Sequence, residues 1–194
     1  MLDQEPKLAA PGGGLPWMEL QVARVIFHWQ FRRSRQETAA ALISMERAEI
    51  LRLARSCEET RGAQRVLIKR IPGMEDSSRY WSVFMTVDHL RIVNAFLADT
   101  ISLLGRGEVP DRVASTAAVK PGPEVDSTVL LSFDQSCADI ARVVREIKDL
   151  RTATRYAHPW FGPLHAAQWH FMAGFHMRLH RRQIEAILRG LAEK

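Results

Sequence analysis

Apolar positions recur at helical spacing from residue 16 almost to the end of this chain. The clearest case is Phe133, Cys137, Ile140, Val144 and Ile147, which follow one another at i, i+4, i+7, i+11 and i+14. A helix turns about 100° per residue, so these five side chains line one face and mark it as buried. No stretch alternates with the two-residue period of a strand, and no segment repeats. The pattern predicts a first helix from Pro16 to about Arg33, with proline in the first turn, where its missing N–H is tolerated. Ser34–Arg35–Gln36–Glu37 has the S-x-x-E form of a capping box, so either a second helix over about 35–60 or a kink within one long helix is expected, with Gly62 as the stop. Ile71–Pro72–Gly73 and Asp76–Ser77–Ser78 mark 62–80 as a connection. A third helix is predicted from Ser82 to Leu104, broken by Gly105, Gly107 and Pro110. The Pro- and Gly-marked link 105–131 is unusually long and is expected to cross the domain. Ser132–Phe133–Asp134–Gln135 offers another capping box. Residues 152–163 are turn-rich, and Pro163 is expected to open a last helix reaching Leu191.

A bundle is the natural way to bury four apolar stripes. The expected fold is all-α: a four-helix bundle with an additional N-terminal helix, in one domain over 16–194. The Pro- and Gly-containing residues 1–15 read as a flexible lead-in.

Composition changes this picture little. Of 194 residues, 46% are apolar and 25% charged, ordinary values for a globular chain. The net charge of +5 raises the question of an acidic partner. Acidic and basic residues are interspersed, with no run of five like charges, so nucleic acid is not expected. Two cysteines without a CxxC pattern exclude a disulfide framework or a cysteine zinc site, and a cytoplasmic location fits. No apolar run approaches the roughly 20 residues that span a membrane. Gly12–Gly13–Gly14 follows no strand, so it is no dinucleotide fingerprint.

The chemistry lies in the histidines. His176 and His180 are four residues apart, which places both imidazoles on one helix face, one turn apart. That is the geometry of HxxxH metal sites. His170 lies about 240° around the helix from His176 and does not join them. His165 has the right angle but sits about 16 Å along the axis, too far for one ion. His89 shares a stripe with Ser82, Met85, Ile92, Val93 and Phe96, so it faces the core. A core histidine is costly unless hydrogen-bonded or ligated. Three core-facing histidines on two helices point to a shared site.

Two stretches carry a known pattern. One is Trp81–Ser82 followed by Asp88–His89–Leu90. The other is Phe161–Gly162–Pro163–Leu164, Gln168–Trp169 and His176-x-x-x-His180-x-x-Gln183. Together they resemble the DinB-like superfamily of metal-binding four-helix bundles, over roughly 36–191. The resemblance implies His89, His176 and His180 as metal ligands, with Gln183 trailing the last. Ser82 is a good N-cap, with His89 two turns on, and Trp81 can pack back as a hydrophobic staple does. Gln183 and Trp81 are the candidates for the edge of the site or a substrate pocket. Asp88 points about 100° away from His89.

Three imidazoles leave coordination positions open, unlike a closed structural zinc site. Zinc, nickel and ferrous iron all accept such ligands. The resemblance therefore implies a metal-dependent enzyme, either a thiol-dependent transferase or isomerase using a low-molecular-weight thiol, or a metal-assisted hydrolase. The alternative is a non-catalytic, stress-related metal-binding protein. Arg178, Arg181 and Arg182 lie off the His176 face, either as a solvated basic surface or as holders of substrate carboxylates. A homodimer is expected, with the N-terminal helix as a possible contact.

Overall fold

The computed structural model describes residues 6–193, so residues 1–5 of the expected lead-in and Lys194 lie outside the described residues. Six α-helices form among the described residues: α1 (Trp17–Arg33), α2 (Gln36–Arg55), α3 (Glu59–Ala63), α4 (Val83–Gly105), α5 (Val129–Glu146) and α6 (Ala166–Ala192). The bundle is α2, α4, α5 and α6. Helix α2 packs on α6, α6 on α4, α4 on α5, and α5 closes the ring on α2. Helix α1 lies outside and packs on α6, which makes it the additional N-terminal helix. No described helix is long and apolar enough to cross a membrane.

The core follows the sequence stripes. Phe133, Cys137, Ile140 and Val144 of α5 are all buried. Helix α4 is buried on nearly every side, because it touches both α5 and α6. Its Asn94 is fully buried and donates to Ser136 Oγ and Cys137 Sγ of α5. Both cysteines are free, and burial pushes the Cys137 thiol up to about 12, so it packs as an apolar group.

Two glycines set helix contacts. A Cβ on Gly174 would stand 2.8 Å from Leu42 Cγ, so glycine lets α2 and α6 approach closely. Gly62 does not stop the second helix as expected. It lies inside α3, where a Cβ would stand 2.3 Å from Phe84 Cζ. Helix α2 ends earlier, at Arg55, where Ser56 Oγ donates to the Leu53 carbonyl and competes with the next helical bond.

Other boundaries also moved. Helix α2 begins at Gln36, and Thr38 rather than Glu37 caps back, its Oγ1 accepting from Arg35 N at 2.8 Å. Ser132 is interior to α5, because Asp126 already accepts from Thr128 N and turns the chain into the helix four residues sooner. Pro163 does not open α6. It belongs to a strand, and the helix starts after His165, whose N–H donates to Gln168 Oε1.

Strands occur where none was expected. β1 (Val66–Leu67) pairs antiparallel with β2 (Tyr80–Trp81), and β3 (Tyr156–His158) with β4 (Gly162–Leu164). Two- and three-residue strands are too short to show a period in sequence. The lead-in is tied down where it is described: Ala9 N donates to Asp76 and Gly12 N to Glu75.

Candidate metal centre

Ser82 caps α4 as its sequence suggests. Its Oγ accepts from Met85 N at 3.0 Å, and its carbonyl accepts from Thr86 Oγ1. The cap fixes the start of the helix and so the direction of His89, two turns on. His176 and His180 come from the middle of α6, which packs on α4. The ligating nitrogens of His89, His176 and His180 all lie within 4.8 Å of one another. The ring centroids are 4.4 Å apart for His176 and His180, 4.5 Å for His89 and His180, and 5.1 Å for His89 and His176.

The outer nitrogens fix which inner nitrogens are free. His89 Nδ1–H donates to the Val119 carbonyl at 2.7 Å, which can only accept. Gln183 Nε2 donates to the Ser78 carbonyl at 2.7 Å, and this turns its Oε1 towards His180. His180 Nδ1–H therefore donates to Oε1, at 2.6 Å. In both rings the lone pair is left on Nε2. His89 Nε2 stands 3.3 Å from His176 Nε2. That is close to the edge of a tetrahedron with metal–nitrogen bonds of about 2.05 Å. His176 Nδ1 is buried without a hydrogen-bond partner among the described residues.

Burial sets the protonation. It pushes His89 down to about 4. His176 and His180 are held well below the ordinary range, by burial first and then by the neighbouring imidazoles. All three are neutral near pH 7, the form that ligates a metal. Trp81 stacks on His180 at 6.2 Å and lies 5.2 Å from His89, so it packs against the triad itself. Lys120 Nζ sits over the same indole at 5.2 Å. Its three hydrogens reach Glu75, Ser77 and Ser78. The donor set and its fixed tautomers fit a divalent ion, and the triad could hold one.

The family model described as the DinB superfamily matches residues 30–184, a span that contains all three histidines and Gln183. The chain belongs to the DinB superfamily. Most of α1 precedes the matched span. A solved structure, that of TT2238, a four-helix bundle protein, aligns with a TM-score of 0.58 at 18% identity. The alignment covers 78% of this chain and 99% of that one, and it shows the shared fold. No curated protein matches.

The other candidates of this DinB-superfamily chain separate cleanly. His170 is buried apart from the triad. Asp88 pairs with Arg91 at 2.8 Å rather than with His89. Arg181 is engaged by Glu46 and Glu185. Arg178 and Arg182 do line the cavity of about 740 Å³ that the triad borders. Leu15 and, from helix α1, Val22 and Ile26 wall this cavity, and α1 is pinned by Phe27 stacking on Phe161 at 4.6 Å. Sequence reasoning missed Val119 and Ser78, whose carbonyls carry no residue signature. It also missed His158, a cavity-lining residue on β3 hidden in a turn-rich stretch.

Proposed function

We propose that this chain is a metal-dependent enzyme of the DinB superfamily, with His89, His176 and His180 as ligands of a divalent transition ion. The observation that carries this is the convergence of neutral imidazole nitrogens at the edge of a large cavity. A cavity of this size takes a small molecule. A bound ion would supply Lewis acidity and a seat for a thiolate or a polarised oxygen.

The protein's own groups do the rest. Val119 and Gln183 hold two imidazoles in the ligating tautomer. Trp81 blocks one side of the triad and limits water there. The apolar walls from α1 and from Phe96, Phe161 and Phe175 orient a substrate and strengthen electrostatic contacts within the cavity. Thiol-dependent transfer is the preferred reaction, with a low-molecular-weight thiol as co-substrate; metal-assisted hydrolysis is the second.

A homodimer belongs to the same proposal. Trp17, Met18, Val25 and Trp29 are exposed on α1, and a second copy would cover them. Light scattering reads the mass directly.

The test is a panel of small thiols with an electrophile, run on the metal-loaded protein and on His176→Ala. Thiol consumption that depends on His176 supports the enzyme. Bound metal without turnover across the panel and with hydrolysable esters would favour the non-catalytic reading.

A further inference from the structure

Apart from the Nε2 lone pairs of the triad itself, the cavity beside it is rich in unengaged donors, and its carboxylates are mostly taken. His158 decides its own tautomer. Its Nδ1 accepts from the backbone N–H of Trp160 at 3.0 Å and of Phe161 at 3.4 Å. A neutral ring that accepts at Nδ1 carries its hydrogen on Nε2. That Nε2–H has no protein partner among the described residues, and it opens to the cavity that His158 lines.

The guanidinium groups add to this. Arg91 and Arg178 line the cavity and use only Nε, on Asp88 and Glu46. Arg112 and Arg182 also line it and make no ion pair among the described residues. The Arg112 guanidinium lies over the Phe96 ring at 5.1 Å.

Two of the three lining carboxylates are engaged. The Glu19 carboxylate takes Arg70 and Gly73 N. The Glu75 carboxylate takes Lys120, Thr116 Oγ1 and Gly12 N. Lys120 has no hydrogen left to give. Asp99 is the one lining carboxylate without a described partner, and it is exposed.

We propose that the cavity takes a small molecule with an apolar, aromatic-sized body and a carboxylate or comparable oxyanion, read by His158 Nε2–H and by Arg112, which both flank the Phe96–Trp169 pair. A ligand without acceptor oxygens would leave these donors unpaired once water is displaced. The apolar body lies against Phe96, Phe161 and Phe175. The inference builds on the metal-site reading only in placing the reacting end of the molecule at the triad.

The test uses two probes with one body, naphthalene-1-acetate and 2-(naphthalen-1-yl)ethanol, titrated by calorimetry. Both are run on chelator-stripped and on zinc-loaded full-length protein, with zinc content measured. The stripped protein is expected to bind the carboxylate about tenfold or more tightly than the alcohol. R112Q, changed at an exposed position, brings the ratio towards unity. H158N, whose side-chain oxygen can still take the backbone N–H groups, weakens both probes, since both bring an acceptor oxygen. Equal binding of the two probes, no binding of either, or a preference that survives R112Q undiminished overturns the proposal. Failure to load zinc with the preference intact would sink the metal reading and leave this one standing.

Discussion

His89 of α4 donates its Nδ1–H to the main-chain carbonyl of Val119, thirty residues on. The long link is thereby part of the site. Its next residue, Lys120, is anchored on Glu75, Ser77 and Ser78, and so fixes where Val119 sits. Lys120→Met removes that anchor. Metal affinity is expected to fall about tenfold, as for lost outer-shell partners elsewhere, with helix content unchanged. Competition with a chromophoric chelator measures it. Unchanged affinity would detach the link from the site.

Gln183 bridges His180 and the Ser78 carbonyl. Gln183→Leu leaves both buried groups unpaired. Metal affinity is expected to drop about 10- to 100-fold, and stability by about 1–3 kcal/mol. His170→Ala is the contrast: it should lower stability in urea while metal binding stays near wild type.

Burial pushes His158 down to about 3 and His170 to about 4. In the unfolded chain both titrate near 6.5. Below about pH 6.5 the unfolded chain therefore binds protons that the folded chain does not. Their contribution is full above that pH and is lost as the pH falls towards about 4 for His170 and about 3 for His158, at up to roughly 1.4 kcal/mol per unit for each ring. Urea midpoints of metal-free protein should be lower at about pH 5.5 than at about pH 7.5. An equal or higher midpoint at the acid end would contradict this.

Gly174→Ala would place a methyl against Leu42, within 2.8–3.0 Å of two side-chain carbons. It should cost about 1–3 kcal/mol by overpacking α2 on α6. Adding Leu42→Ala should cost less than the two single changes summed, because both act on one contact. Additive effects would place the strain elsewhere.

The helices were legible because each carries a long apolar stripe, and α4 because Ser82 sits where a cap belongs. His176 and His180 were legible from spacing on one helix. His89 needed its stripe, and the resemblance, to be joined to them across the bundle. Gln183 was singled out from its place three residues after His180, but the groups at the far ends of the site's hydrogen bonds were not legible. Val119 and Ser78 act through main-chain carbonyls, which any residue would supply. Asp126 displaced the expected cap at Ser132, since two local caps compete and sequence does not rank them. The strands at 66–67, 80–81, 156–158 and 162–164 exist through pairing alone, and His158 was hidden with them.

The central claim is that His89, His176 and His180 bind one ion together. Metal content by mass spectrometry, on wild type and on each histidine-to-alanine variant after loading and desalting, tests it most directly. The expected result is about one transition-metal ion per wild-type chain and a large loss in all three variants, with His170→Ala retaining it. Wild type without stoichiometric metal, or binding that survives His176→Ala and is lost in His170→Ala, would contradict the account.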